Sequence, residues 1–233
     1  MFNLIGRKVR RRPFPLNIPA LRACRVSYGQ NGEDLFLTLL LGYERTNGVY
    51  VDVGCFQPIV FSNTYIFYQR GWKGLAIDPN PQLRQAWRRY RPRDTFVNLG
   101  ISKNRGRMAY VNDLKYPPMN RVLLENEVAG LDPARYEVNS CEVAPLAEVL
   151  SQYLGGNQID LMSVDCEGMD LEVLETNDWD RYRPLVLAIE DTDISLESRL
   201  NRFAESLGYE CQAYIGLTKI FQLKEHLRGA PTA

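Results

Sequence analysis

Acidic side chains follow two apolar runs of the sequence at short spacing. Asp165, Glu167 and Asp170 lie within six residues after the run 159–164, and Glu190 follows the run 185–189. Hard cations take carboxylate ligands, whereas a carboxylate in a water-excluded pocket can act as a general base. The acids therefore suggest a metal site, a cation-binding cofactor or a base, and the residues alone leave these alternatives open.

Two neighbouring apolar runs carry a pattern that suits a nucleoside. The run 49–53 ends at Gly54, where the missing side chain permits a sharp turn and close approach of a ligand. The next run ends at Asp78, 24 positions after Gly54. Nucleoside-binding folds place an acid about 20 residues beyond the glycine turn, where it bonds the ribose hydroxyls. The pair predicts a nucleoside cofactor at the carboxyl ends of two strands.

The elements that position these residues alternate between strands and helices. Predicted strands cover residues 49–53, 72–77, 95–101, 108–111, 138–143, 159–165, 185–189, 209–214 and 217–223. Gly216 between the last two runs indicates an antiparallel hairpin. This order predicts a doubly wound α/β fold with a mostly parallel seven-stranded sheet and an antiparallel last strand. We expect the irregular stretch 113–137 to form part of the wall of the site that contacts the acceptor substrate.

Composition limits the classes of function. The 233 residues suit one α/β domain, residues 26–233, preceded by a basic arm, residues 1–25. Basic and acidic residues both number 28, which gives no support to a nucleic-acid partner. No apolar stretch approaches the roughly 18 residues that span a bilayer. Five cysteines without a C-x-x-C pair and a single histidine, His226, argue against a zinc site and a histidine-based triad.

The basic arm has two interpretations. It carries seven Lys or Arg residues and no acid, with apolar residues ahead of the first basic run. The first interpretation is a loosely ordered terminus that three prolines stiffen. The second is contact with a membrane surface or another anionic partner. With no secretory signal in the sequence, we expect a cytoplasmic protein, either free or peripheral to a membrane.

A series of motifs between about residues 26 and 223 resembles the FkbM family of methyltransferases. Each motif is weak alone, but their order and spacing are specific. They are Ser27-Tyr-Gly-Gln-Asn-Gly-Glu-Asp34, Val51-Asp-Val-Gly54, Ser62-Asn-Thr64, Gly71-Trp-Lys-Gly74, Ile77-Asp-Pro-Asn-Pro81, Ser163-Val-Asp-Cys-Glu-Gly168 and Asp178-Trp-Asp-Arg-Tyr-Arg-Pro184.

The resemblance implies a class I, Rossmann-like fold that binds S-adenosylmethionine. It also implies methyl transfer to a hydroxyl group of a sugar, a glycan or a secondary metabolite. By position, the implied cofactor contacts are Asp52 and Gly54 near the methionine part, Asp78 at the ribose, Asn98 and Gly100 by the adenine, and Gln30, Asn63 and Asp165 at the border of the cofactor.

Methyl transfer to a hydroxyl calls for a base, because a sugar hydroxyl is a poor nucleophile at neutral pH. Without a well-placed histidine, a carboxylate is the candidate. Asp165 and Glu167 are the first choices and Glu190 the second. Helix capping is the structural alternative for Glu167, and a divalent metal that orients a diol is the alternative use of the cluster.

Two other functions fit the same pattern of strands. One is a nicotinamide-dependent oxidoreductase, although residues 54–59 lack the G-x-G-x-x-G sequence that receives a pyrophosphate. The other is a non-catalytic module that binds a nucleoside or another ligand, since fold does not determine function. The identity of the acceptor and the oligomeric state are not specified by these motifs.

Overall fold

The computed structural model describes residues 24–123, 127–128 and 130–227. Residues 1–23, which form nearly all of the basic arm, lie outside the described residues, so both interpretations of the arm stay predictions. Within the described ranges, no helix has the length and apolar character needed to cross a membrane.

Eleven strands and seven α-helices alternate along the described chain. The strands are β1 (Val49–Val53), β2 (Lys73–Ile77), β3 (Thr95–Val97), β4 (Gly100–Ile101), β5 (Gly106–Asp113), β6 (Arg121–Leu123), β7 (Tyr136–Ala144), β8 (Leu161–Val164), β9 (Val186–Glu190), β10 (Tyr209–Ile215) and β11 (Thr218–Leu223). The helices are α1 (Glu33–Leu41), α2 (Tyr65–Gln69), α3 (Arg84–Tyr90), α4 (Leu146–Tyr153), α5 (Asp170–Leu174), α6 (Arg199–Ser206) and α7 (Lys224–Leu227).

The central sheet has seven strands in the order β10-β11-β9-β8-β1-β2-β3. The five neighbouring strands β3, β2, β1, β8 and β9 pair in parallel, and β11 lies antiparallel between β9 and β10. This arrangement confirms the predicted class I, Rossmann-like sheet with an antiparallel last strand. The order reverses at β1, whose neighbours are β2 and β8. In open α/β sheets, ligands bind outside the carboxyl ends of the strands at such a reversal.

Buried apolar side chains cover both faces of this sheet. On one face, Val51 and Val53 of β1 pack with apolar residues of α4, α5 and α6. On the other face, Tyr50 of β1 packs with residues of α1 and α2. Successive side chains of a strand point to opposite faces, so a strand that is buried on both sides reads as the continuous apolar run seen in the sequence.

A second sheet was not anticipated from the sequence. It has four strands in the order β4-β7-β5-β6. The single strand predicted over residues 95–101 is therefore wrong, because β3 ends at Val97 and the chain leaves the central sheet before β4. Leu99 N and Asn98 Nδ2 both donate to the backbone oxygen of Asp78, at 3.1 and 2.9 Å. These bonds turn the backbone between the two strands.

A lysine is buried on the antiparallel strand β11. The Lys219 side chain has no exposed surface, and its Nζ donates to Asp191 Oδ2 at 2.9 Å, Ser195 O at 2.7 Å and Ser198 Oγ at 2.9 Å. An ammonium group has three donors, so every one of them has a partner. The contacts attach the connection between β9 and α6 to the sheet.

We expect Lys219→Met to lower the free energy of unfolding by about 3–5 kcal/mol, because it leaves the Asp191 carboxylate without its cationic partner in a largely buried place. Urea denaturation measures this change. The exposed Lys224 of α7 provides the matched control, and Lys224→Met is expected to change stability by no more than about 0.5 kcal/mol. Equal effects of the two substitutions would contradict a stabilising role for the buried ion pair.

Candidate active site

A cavity of about 450 Å³ opens at the carboxyl ends of the parallel strands. Its volume lies in the range typical of small-molecule sites. Eight of the predicted site residues line it: Gln30, Gly54, Asn63, Asp78, Gly100, Asp165, Glu167 and Glu190. The fold therefore brings together residues that lie as much as 160 positions apart in the sequence.

Asp52 and Asn98 are not among the lining residues. The Asp52 carboxylate is buried and accepts a hydrogen bond from Thr64 Oγ1 at 2.5 Å, while the Asn98 amide is bonded to the backbone of Asp78. The structure thus places both side chains in contacts that support the walls of the cavity.

Gly54 lies where the ends of β1 and β8 come closest. Its φ is +74°, and a Cβ atom added to it would lie 1.7 Å from the backbone oxygen of Asp165. A side chain at this position would overlap with β8 and also adopt a left-handed conformation that non-glycine residues rarely take. The absence of a side chain therefore serves close packing of two strand ends, in addition to ligand access.

The Asp78 carboxylate joins the loops that follow β1 and β2. Oδ2 accepts a hydrogen bond from Phe56 N at 3.0 Å, and Oδ1 accepts one from Asn80 N at 2.8 Å. Burial raises the pKa of Asp78 to about 6, and the two N–H groups oppose this rise. A carboxylate has about four acceptor sites, so Asp78 can still accept hydroxyl groups from the cavity.

Arg91 holds the loop between β1 and α2 in place through hydrogen bonds. Its guanidinium group is buried, pairs with Asp94 at 2.6 Å, and donates to Pro58 O at 3.3 Å and Thr64 Oγ1 at 2.9 Å. The arginine-rich pattern of residues 84–91 predicts a solvated face, and for Arg91 this prediction is wrong. No sequence signal separates Arg91 from its exposed neighbours apart from the acid three positions later.

The polar segment 27–34 leads into the first turn of α1 and also reaches the cavity. The Asp34 carboxylate accepts hydrogen bonds from Ser27 Oγ at 2.6 Å and Tyr28 N at 2.7 Å, which fixes the segment at the start of the helix. Gln30 and Glu33 in the same segment line the cavity. Asn63, on the loop opposite, donates to Ser163 Oγ of β8 at 3.2 Å.

Three carboxyl groups meet at one wall of the cavity. Oxygen atoms of Asp165, Glu167 and Glu190 all lie within 4.8 Å of one another. Asp170 shapes their loop, since it accepts from Cys166 N at 2.8 Å and Gly168 N at 3.1 Å. Glu167 has a φ of +53°, a strained conformation for a non-glycine residue. Asp170, rather than Glu167, binds the free backbone N–H groups ahead of α5.

The three carboxyl groups hold protons more tightly than free carboxyls. The pKa of Asp165 is raised to about 8, and those of Glu167 and Glu190 to about 7, chiefly by desolvation and then by the neighbouring acids. Asp165 is accessible and lines the cavity, whereas Glu167 and Glu190 are half-buried. Arg121 opposes the rise for Glu167. At neutral pH, the cluster therefore retains protons, which a pair such as Asp165 and Glu190 can share.

A divalent metal remains an alternative prediction for these carboxylates. Their oxygen atoms are close enough for one cation to reach all three, but exposed acidic groups are common without an ion. Nothing else in the described ranges points to a metal, so the structure does not favour this use over that of a base.

Part of the stretch 113–137, for which the sequence predicts no regular structure, forms another wall of the cavity. Tyr116, Met119 and Arg121 line it, from the 3₁₀ turn Pro117–Met119 and from β6. The expectation that part of the stretch 113–137 contacts an acceptor stays a prediction, and its position beside the carboxyl cluster is consistent with it.

The raised pKa of Asp165 predicts how stability changes with pH. The folded protein binds a proton there that the unfolded chain releases above about pH 4, so this contribution to stability falls as pH rises towards about 8. We expect Asp165→Asn to be more stabilising, or less destabilising, at pH 9 than at pH 5, measured by chemical denaturation. An identical effect of the substitution at both values would contradict the raised pKa.

Two solved structures are similar to this chain at low identity. One is a TehB-like SAM-dependent methyltransferase from Corynebacterium glutamicum, with 13% identity, a TM-score of 0.43, and coverage of 89% of this chain and 94% of that chain. The other is a methyltransferase from Geobacter sulfurreducens, with 14% identity, a TM-score of 0.42, and coverage of 88% and 84%. No curated protein matches the sequence.

A family model matches most of the domain. The model is that of the methyltransferase FkbM domain, and it matches residues 52–211. The matched range begins at the end of β1 and includes the acid after β2, the carboxyl cluster after β8 and β9, and the second sheet. The chain belongs to the FkbM family of methyltransferases, and it is an enzyme that uses S-adenosylmethionine.

Proposed function

We propose that this methyltransferase transfers a methyl group to a hydroxyl of a sugar, a glycan or a secondary metabolite. The observation that carries the proposal is the meeting of Asp165, Glu167 and Glu190 in the cavity that also contains Gly54 and Asp78. One wall offers groups suited to a nucleoside, and another offers groups suited to accepting a proton. Membership of the FkbM family argues against the alternative function of a nicotinamide-dependent oxidoreductase.

The residues of the cavity fit S-adenosylmethionine. Asp78 retains acceptor capacity for ribose hydroxyls, and Leu83, Leu99 and Gly100 provide an apolar wall beside it that suits a purine ring. Gly54 leaves the floor without a side chain. When bound, the cofactor supplies a methyl group that is activated by a positively charged sulfur.

The chain's own part in the reaction is to position the acceptor and remove its proton. An ionised carboxylate of the cluster accepts the hydroxyl proton as the oxygen becomes a nucleophile. Asp165 and Glu190 have pKa values of about 8 and 7, closer to that of a hydroxyl group than an ordinary carboxylate, and this favours proton transfer. Asp170 keeps the loop in place through its two backbone contacts.

Several expectations about partners remain proposals. Equal numbers of acidic and basic residues support an acceptor other than nucleic acid. The basic arm supports contact with a membrane surface.

Cofactor binding tests the nucleoside half of the cavity. We expect the wild-type protein to bind S-adenosylmethionine in calorimetry, and Asp78→Ala to weaken binding at least about tenfold, because hydrogen bonds to a charged group are lost. Asp180→Ala, at an exposed acid away from the cavity, is the control and should bind normally. Binding of nicotinamide dinucleotide in place of S-adenosylmethionine would contradict the proposal.

An assay of methyl transfer tests the proposed role of the carboxyl cluster. In a screen of glycans and hydroxylated metabolites with radiolabelled cofactor, we expect Asp165→Asn and Glu190→Gln to lower kcat by about 10²–10⁴, with cofactor affinity changed by less than about threefold. The rate should rise as pH increases through about 7 to 8, where the base ionises.

The exposed Glu210 of β10 provides a matched control, and Glu210→Gln should leave kcat unchanged. Full activity in a protein that carries both Asp165→Asn and Glu190→Gln would show that these carboxyl groups are not the base.

A further inference from the structure

Four large apolar side chains are exposed in the wall of the cavity. They are Phe61, Tyr116, Met119 and Leu217, and each exposes between 44% and 48% of its surface. They come from three connections, after β1, before β6 and before β11. Because β11 is antiparallel, its first residue lies at the edge where the parallel strands end. Grouped exposed apolar side chains around a cavity mark a binding surface.

Phe61 is held in this position at an energetic cost. Its φ is +57°, a left-handed conformation that costs a bulky residue on the order of 1–3 kcal/mol. The flanking backbone is anchored, since Ser62 N donates to Tyr28 O at 3.0 Å and Arg91 donates to Pro58 O. The ring is absent from the buried apolar clusters of the described chain, so the strain is not offset by burial in the core.

The polar groups of the same cavity disfavour an anion. Glu33 and the cluster of Asp165, Glu167 and Glu190 are acids, and a negative charge beside them would be repelled by those carboxyl groups that are ionised. Arg121 is the basic residue among those that line the cavity, and it forms an ion pair with Glu127 at 2.8 Å. Its charge is already partly neutralised.

We propose that the acceptor is an uncharged amphipathic molecule, whose apolar part contacts Phe61, Tyr116, Met119 and Leu217 while its hydroxyl group reaches the carboxyl cluster. This inference rests on the proposed function, and it narrows the acceptor from polar metabolites in general to those with an apolar body. The four side chains then determine specificity, because covering them on binding removes apolar surface from water.

Alkyl glucosides test this surface without knowledge of the natural acceptor. Calorimetry compares octyl β-D-glucopyranoside, below its micelle concentration, with methyl β-D-glucopyranoside and octyl sulfate. We expect the octyl glucoside to bind at least about tenfold more tightly than the methyl glucoside, and also more tightly than the anionic octyl sulfate. Equal affinity of the two glucosides, or tighter binding of octyl sulfate, would overturn the inference.

A pair of double variants locates the binding surface. Phe61→Asn with Leu217→Ser should reduce the advantage of the octyl chain to less than about threefold, and asparagine tolerates the left-handed backbone at position 61. Tyr90→Ser with Tyr153→Ser, at exposed aromatic residues that end α3 and α4 and do not line the cavity, is the control and should keep the advantage. If both double variants keep it, the chain binds elsewhere and the inference fails.

Two further measurements separate this inference from its alternatives. Each titration is repeated with S-adenosylhomocysteine, and failure to bind that nucleoside counts against the proposed function, whereas loss of the octyl advantage counts against the acceptor class. Light scattering tests a second copy of the chain as the occupant. A wild-type dimer that Phe61→Asn with Leu217→Ser converts to a monomer would overturn the inference.

Discussion

The buried guanidinium group of Arg91 is the contact on which the cofactor side of the structure depends. It lies among the rings of Tyr50, Tyr68 and Trp87, with distances of 4.3–5.3 Å to their centroids, and pairs with Asp94. A buried charge is costly unless it is paired and hydrogen-bonded. Every element that satisfies it is therefore held in place. Those elements are the loop after β1, the start of α2, and through Thr64 the carboxylate of Asp52.

The carboxyl cluster, unlike Arg91, brings groups of like charge together. Asp165 follows β8 and Glu190 ends the adjacent parallel strand β9, so their closeness is a direct result of the β8–β9 pairing. Acids that are close together oppose one another's ionisation. The same arrangement that makes the cluster unfavourable when charged makes it able to hold and accept a proton near neutral pH. Shifted pKa values of this kind are common at catalytic sites, which is consistent with the proposed role of the cluster.

The parts of the structure that local sequence features encode were predictable. The apolar run that ends at Gly54, and the acid that ends the next strand, are contiguous signals, and they located the cavity. The second sheet was not predictable, because β4 has only two residues and its pairing with β7 joins Gly100 to Val143. The sequence favours a cofactor contact for Asp52 and a solvated position for Arg91, because only tertiary packing shows that these charged side chains are buried against Thr64.

The near-contact between Gly54 and Asp165 has a mechanical consequence. The two residues follow neighbouring strands, and their backbones leave no room for a single added carbon atom. Neither strand end can shift towards the other. The main chain therefore fixes the position of Asp165, the proposed base, relative to the floor of the cavity at Gly54. The loops that line the rest of the cavity do not share this constraint, and changes in loops are tolerated better than changes in the elements that they connect.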